Sequence, residues 1–237
     1  MQIIFISLLA GVIGMGLGGI LTALFGSKSD KTVGIFLSFA GGVMMSIVFL
    51  ELIPEAIEHS NIFVTIAGIV AGVFLVWTLN ALTDRISSSD NRMLRSGIIM
   101  LVAIGLHNVP EGLALGAAGH HDLNLGITLA IIIGLHNIPE GMAVSAPLIA
   151  GGLSKIKSVL FTLLIGTTTV IGAAVGVLVG GISDIAVAFS FSIAGGAMLY
   201  VVLGEILPQS IVASNDRTPA IFALIGIVVG MLFIAIF

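Results

Sequence analysis

Two short segments of the chain carry the same set of metal-ligating side chains. Residues 107–112 read His-Asn-Val-Pro-Glu-Gly, and residues 136–141 read His-Asn-Ile-Pro-Glu-Gly. In each segment the histidine and the glutamate are four residues apart, so both side chains share one face of an α-helix. Two imidazoles and two carboxylates presented to one point suit tetrahedral Zn²⁺ and, less selectively, Fe²⁺, Mn²⁺ or Cd²⁺. The pattern predicts a metal site, and a proton relay built from the same side chains is the main alternative.

The candidate metal ligands are the histidine, asparagine and glutamate of both copies: His107, Asn108, Glu111, His136, Asn137 and Glu140. The HExxH pattern of zinc proteases is absent, and no Ser/His or paired-Asp arrangement indicates proteolysis, so neither an enzyme nor a bound cofactor is predicted. Pro110 and Pro139 each remove a backbone donor from their helix. Gly112 and Gly141 are expected to let the two motif helices approach each other closely.

The elements that carry the motifs are predicted to be membrane-spanning helices. Of the 237 residues, 58% are hydrophobic and 8% are charged, against about 25% charged in a typical soluble domain. A span needs about 20 apolar residues. This composition excludes a soluble enzyme, and a net charge of −4 provides no basic surface for nucleic acid. We predict an all-α polytopic membrane protein with eight spans, at residues 2–26, 32–57, 62–82, 96–118, 123–149, 157–181, 184–212 and 218–237.

The distribution of cations predicts the orientation of these spans. All eight lysines and arginines fall in odd-numbered loops. Positive charge favours the cytoplasmic side, so both termini are expected outside. His107 and His136 then lie roughly 18–20 Å into a core about 30 Å thick, near its middle. The even-numbered loops form an acidic, histidine-bearing outer mouth with Glu58, His59, His120, His121, Asp122 and Asp184.

A second repeat indicates a transporter with inverted internal symmetry. Residues 40–54 match residues 194–208 without a gap, on the second and seventh spans, which run antiparallel. Inverted repeats of this kind are typical of secondary transporters, whose site lies near the midplane. Glu51 and Glu205 occupy equivalent positions of this repeat and lie toward opposite ends of the transport pathway. They are predicted to be the entry and exit gate residues. Met44 is predicted to touch the pathway, and Glu55 and Glu58 to extend the outer line of carboxylates.

These motifs and spans resemble the ZIP family of divalent-metal transporters, and the form is closest to its prokaryotic ZupT-like and GufA-like branch. The resemblance implies one transmembrane domain over 1–237, with three-helix bundles at 2–82 and 157–237 around a central helix pair at 96–149. It also implies a homodimer in the lipid bilayer, elevator-like alternating access, and Zn²⁺ as substrate, with Fe²⁺, Mn²⁺, Co²⁺ or Cd²⁺ as others. The short loops and the absence of cysteine favour a prokaryotic cytoplasmic (inner) membrane.

Carried over to this chain, the resemblance makes His107, Glu111, His136 and Glu140 the primary metal site. Asn108 and Asn137 would form an adjacent second site, with the two glutamates as bridges. The chain departs from members with two metals, because Thr169 and Asn137 stand where those members carry carboxylates.

The function predicted from these observations is transport of Zn²⁺ or a similar divalent ion into the cytoplasm through a midplane His/Glu/Asn site. Three alternatives stay open. One is a selective divalent-metal channel, and another is a membrane metal sensor or enzyme that does not transport. The third is a proton carrier that zinc inhibits.

Overall fold

The computed structural model describes residues 2–25, 29–83, 91–180 and 183–236, and these residues form helices without any strand. The all-α prediction is confirmed, and the predicted spans match the helices to within a few residues. Within these described ranges, seven helices are long and apolar enough to cross a membrane, and a further helix has its apolar part at Ile62–Thr78. The helices are α1 Gln2–Phe25, α2 Asp30–Glu58, α3 Ile62–Thr83, α4 Arg92–His121, α5 Leu123–Ala150, α6 Lys155–Gly166 with Thr168–Gly180, α7 Asp184–Ser214 and α8 Thr218–Ile236.

Polar side chains fix where several of these helices begin. Asn91 accepts hydrogen bonds from two backbone N–H groups in the first turn of α4. Asp122, Ser154 and Ser183 cap α5, α6 and α7 in the same way. Such caps satisfy amide groups that have no partner inside the helix. They hold the polar helix ends, where the loops turn, at fixed positions.

Three helices depart from regular α geometry. In α2 the segment Val48–Leu52 forms a π-helix, and in α7 the segment Val202–Ile206 does the same. These two segments occupy equivalent positions of the longer sequence repeat. In α6 the helix is interrupted at Thr167. Because π-helical segments inside α-helices are frequent at functional sites, both helices are candidates for a functional role.

The helices pack around the pair that carries the two motifs. Helices α4 and α5 contact each other, α6 packs against α4, and α1 packs against α5. Helix α8 packs against α2 and α3 against α7, while α2 also contacts α5 and α7 also contacts α4. Exchanging α1 with α6, α2 with α7, α3 with α8 and α4 with α5 maps these contacts onto one another. An inverted repeat would give this pattern, and the division into two bundles and a central pair stays a prediction.

Gly112 and Gly141 do not have the role that the sequence predicted for them. A Cβ atom on Gly112 would collide with the backbone of Thr169 in α6, and one on Gly141 would collide with the backbone of Met15 in α1. The two glycines therefore let α4 and α5 approach their outer neighbours, and not each other. Small residues permit such close approach of helix backbones in a membrane.

Contacts between loops join the odd-numbered loops in two pairs. Lys31 pairs with Asp216 at 2.9 Å between the first and seventh loops, and the Asn91 side chain donates to the Gly151 carbonyl oxygen at 3.1 Å between the third and fifth. Which end faces the cytoplasm, and hence the location of the termini, stays a prediction. Lys28 and Arg85, two of the cations behind that prediction, lie outside the described residues.

The outer surface of the bundle is apolar. Phe63, Leu178 and Ile156 expose 79%, 76% and 75% of their surface. Soluble monomers rarely expose contiguous apolar patches of more than a few hundred Å². A helical bundle with such a surface, whose backbone groups are satisfied within each helix, suits a hydrocarbon environment. The chain is an integral membrane protein.

Candidate metal centre

The two motifs lie side by side at the contact between α4 and α5. All six candidate ligands are buried, with relative exposures of 0–1%. The His107 Nε2 atom is 3.1 Å from Glu140 Oε1, and the His136 Nε2 atom is 2.6 Å from Glu111 Oε1. Each imidazole therefore hydrogen-bonds the glutamate of the other helix. The side chains of the two motifs therefore meet at one place, and their role as metal ligands stays a prediction.

The four side chains present their donor atoms as a closed ring. Within each helix the histidine Nε2 and the glutamate Oε1 are 3.7 Å apart, for His107 with Glu111 and for His136 with Glu140. Donor atoms of His107, Glu111 and Glu140 all lie within 4.8 Å of one another, and His136 joins them through both glutamates. Two ligands of a tetrahedral Zn²⁺ with bonds of about 2.0–2.1 Å lie about 3.3–3.4 Å apart. The observed separations of 2.6–3.7 Å bracket that value.

Several polar atoms of the centre have no hydrogen-bond partner in the part of the chain that the structure describes. The second carboxylate oxygens, Glu111 Oε2 and Glu140 Oε2, are buried without one, as are both side-chain amide atoms of Asn137. An unsatisfied buried polar group costs about 1–3 kcal/mol, and a charged group costs more. Carboxylate and amide oxygens are good ligands for divalent cations. The donor set therefore has the chemistry of a cation site.

The asparagines and Thr169 extend the polar region toward α6. The Asn108 side-chain amide nitrogen donates to the Ile165 carbonyl oxygen at 3.3 Å, and the amide oxygen of Asn108 has no partner among the residues that the structure covers. Thr169 is fully buried, and its hydroxyl has no partner among the described residues. Asn137 and Thr169 are thus the neutral side chains at the two positions where the family resemblance would place carboxylates. A second ion here would have fewer anionic ligands than the first.

Comparison with known proteins gives the family of the chain. The family model described as ZIP Zinc transporter matches residues 79–237, a range that holds both motifs. The chain belongs to the ZIP family. It is 32% identical to a zinc transporter ZupT of Chlorobium chlorochromatii, over 98% of this chain and 94% of that protein. ZupT proteins of Akkermansia muciniphila and Streptococcus mutans are each 31% identical, over 93% and 97% of this chain and 91% and 94% of theirs.

In this ZIP-family chain the two predicted gate residues lie in the two π-helical segments. Glu51 is in Val48–Leu52 and Glu205 is in Val202–Ile206, and both side chains are half-buried. Glu205 accepts a hydrogen bond from the Gln209 amide at 3.0 Å, and Gln209 in turn contacts the Ser96 hydroxyl on α4. The sequence analysis missed Gln209 and Ser96. The only signal for Gln209 is its place one helical turn after Glu205.

The other predicted pathway residues have different environments. Met44 is fully buried among the helices. Glu55 is half-buried, with its Oε2 atom 3.6 Å from the Nε2 atom of His59. Glu58 is exposed. The pathway role of these residues stays a prediction.

Proposed function

We propose that this ZIP-family protein carries a divalent metal ion, first of all Zn²⁺, into the cytoplasm across the cytoplasmic membrane of a bacterium. The observation that carries the proposal is the buried ring of two imidazoles and two carboxylates between α4 and α5. The relatives named as zinc transporters support the choice of zinc and of transport. The metal is the substrate of the protein and not a resident cofactor.

In this proposal His107, Glu111, His136 and Glu140 are the primary ligands. Each Nε2 atom that now hydrogen-bonds a carboxylate must give up its proton before it binds the metal, because only neutral imidazole is a ligand. The two hydrogen bonds would then be lost, because each of the four nitrogen and oxygen atoms would form its own coordinate bond to the ion. Asn108 and Asn137 are proposed to hold a second ion beside the first, with the glutamates as bridges.

The burial of the centre supports a carrier more than an open channel. With exposures of 0–1%, the ligands have no direct contact with solvent at either end. An ion can reach such a site only after the helices rearrange, which is the requirement of alternating access. A proton carrier would use the same histidine–glutamate contacts, but it would not move zinc.

We propose a route for the ion along the carboxylates of the two repeats. It enters past Glu58, Glu55 and Glu51, passes near Met44 to the centre, and leaves past Glu205. The half-buried positions of Glu51, Glu55 and Glu205 support this route. The placement of Glu51 and Glu205 in matched π-helical segments supports it further.

The resemblance to the family also leads us to propose a homodimer in the lipid bilayer, with no nucleic-acid partner. The test is chemical cross-linking in native-like vesicles, followed by sizing of the product. A single cross-linked species of twice the chain mass is expected. A product that stays at one chain mass at cross-linker saturation would contradict it.

The decisive experiment is zinc flux into proteoliposomes that contain a zinc-sensitive dye. The wild-type chain is compared with His136→Ala, which removes one imidazole of the centre, and with His120→Ala, which removes an exposed imidazole outside it. We expect flux in the wild type and in His120→Ala, and loss of flux in His136→Ala. Equal amounts of monodisperse protein in each preparation exclude a folding defect.

Two outcomes would contradict the proposal. No flux above empty liposomes in the wild type would refute zinc transport. Equal flux in the wild type and His136→Ala would refute the centre as the route. Flux that rises linearly with zinc without saturation would favour the channel alternative.

A further inference from the structure

A second group of metal-ligating side chains lies apart from the two motifs. His59 follows the C-terminus of α2, His121 ends α4, and Asp184 begins α7. Each offers one donor atom, and these three atoms lie within 4.8 Å of one another. The three residues come from the second, fourth and sixth loop regions, so they lie at the end opposite the cationic loops. We call them the mouth cluster.

The nitrogen–oxygen distances in the mouth cluster and beside it are longer than hydrogen bonds and close to the separation of two ligands on one metal ion. His121 Nδ1 is 3.6 Å from Asp184 Oδ1, and His59 Nε2 is 3.6 Å from Glu55 Oε2. Nitrogen–oxygen hydrogen bonds are about 2.7–3.2 Å long. Ligands of one tetrahedral Zn²⁺ lie about 3.3–3.4 Å apart. A shift of a few tenths of an ångström would bring each of these two pairs to the metal-bound separation.

The imidazoles of the cluster are held in place by packing. The His59 ring stacks on Phe191 with centroids 6.1 Å apart and an angle of 7° between the planes. The rings of His59 and His121 meet edge to face at 5.4 Å. Phe191 is fully buried, and the His59 side chain is only 15% exposed. Ligands that are already oriented lose less conformational entropy on binding.

From this arrangement we infer that His59, His121 and Asp184 form a second binding site for a divalent transition-metal ion, separate from the buried centre. A water molecule supplies the fourth ligand, and Glu55 lies beside the site, 3.6 Å from His59. Two imidazoles and a carboxylate select Zn²⁺ and similar ions over Mg²⁺ and Ca²⁺, which prefer oxygen ligands alone. The partial exposure of His121 and Asp184, at 43% and 65%, leaves the site open to ions in solution.

The test measures zinc bound per chain by equilibrium dialysis of tag-free protein in nanodiscs. The background is the full chain with His107→Ala and His136→Ala, which disables the buried centre. We expect one zinc per chain in this background, and an affinity at least about tenfold lower when His59→Ala and His121→Ala are added. His120→Ala, which removes the neighbouring exposed imidazole, serves as the control and should bind like the background.

Two results would overturn the site. One is zinc binding that is unaffected by His59→Ala with His121→Ala, and the other is a background that binds no zinc. Should the background fail to give monodisperse protein, the same pair of substitutions is made in the wild-type chain. There the zinc bound must fall by one ion per chain, and an unchanged stoichiometry overturns the site. Asp184→Asn, which keeps the side-chain volume, must also weaken binding.

The role of the site rests on the proposed function. Because the cluster lies at the predicted outer mouth next to Glu55, zinc bound there is the supply for the buried centre. His59→Ala with His121→Ala should raise the zinc concentration for half-maximal flux several-fold and leave the maximal flux unchanged. An unchanged zinc concentration for half-maximal flux would refute this role. Zinc bound at the cluster of a wild-type chain that gives no flux would refute transport and leave the site standing.

Discussion

A pair of glycine-to-alanine substitutions in one helix tests how α4 is held beside the centre. A Cβ atom on Gly112 would lie 2.8 Å from the Thr169 carbonyl carbon and 2.9 Å from the Ala173 nitrogen, and closer still to the Thr169 carbonyl oxygen. A Cβ atom on Gly105 would lie no nearer than 3.5 Å to Ile165, which is ordinary contact. Both positions are in α4, so Gly105→Ala is a matched control for Gly112→Ala.

The two substitutions share one energetic effect and differ in another. Alanine favours a helix interior over glycine by about 0.5–1 kcal/mol, and this gain is common to both. Only Gly112→Ala also forces α4 and α6 apart, by at least about 0.6 Å, the difference between an ordinary 3.4 Å contact and 2.8 Å. Overpacking of this kind costs about 1–3 kcal/mol. Because lipid tails are as apolar as the side chains between the helices, close packing and not the hydrophobic effect is a main source of helix association in a membrane. The packing that Gly112→Ala removes is therefore not compensated by a hydrophobic term.

The assay is thermal unfolding in detergent. The quantity measured at each temperature is the fraction of protein that stays monodisperse after heating. A difference of about 1–3 kcal/mol corresponds to about 2–12 °C for a chain of this size. We expect Gly112→Ala to melt lower than Gly105→Ala by that amount. It should also bind zinc more weakly, because Gly112 directly follows Glu111. Equal melting temperatures would refute the close contact between α4 and α6.

Three further results are expected. Glu140→Gln keeps the volume of the side chain and can still accept the hydrogen bond from His107, so it should weaken zinc binding about tenfold or more by calorimetry with little change in melting temperature. Zinc binding should weaken as the pH falls from 7.5 to 5, because protons compete with the metal for His107 and His136; constant affinity over that range would contradict ligation by imidazole. Hydrogen bonds from Thr218 and Lys31 lower the pKa of Asp216 to about 2, so the stabilisation by this carboxylate is present above the ordinary Asp pKa and is lost as the pH falls toward 2. Asp216→Asn should therefore melt slightly below the wild type at pH 6 and together with it near pH 2, and a difference that persists at pH 2 would contradict this contact.

The helices and the candidate ligands were predictable because the signals for them are local. Eight apolar runs separated by short polar loops define the spans regardless of how they pack. The four-residue spacing of His107 and Glu111 puts both on one helix face, and the second motif repeats it. The antiparallel order of α4 and α5 follows from the short connection between them. These features depend on neighbours within a few residues, which the sequence gives directly.

The π-helical segments and the break in α6 had no such signal. Val48–Leu52 and Val202–Ile206 are ordinary apolar sequence apart from one glutamate in each. The helix break at Thr167 lies in a run of three threonines, which the sequence analysis did not distinguish from a continuous span. Each departure depends on how the helix packs against its neighbours, so propensity alone could not locate it.

The tertiary structure decided which side chains meet. His107 lies closer to Glu140 of the other helix, at 3.1 Å, than to Glu111 of its own, at 3.7 Å. Gly112 and Gly141 contact α6 and α1, and His59, His121 and Asp184 converge from three loop regions. The sequence by itself determined the spans, the repeated ligands and the face on which each ligand lies. The rotation of each helix about its axis and the choice of its neighbours depend on packing between residues far apart in the chain, and only the assembled bundle sets them.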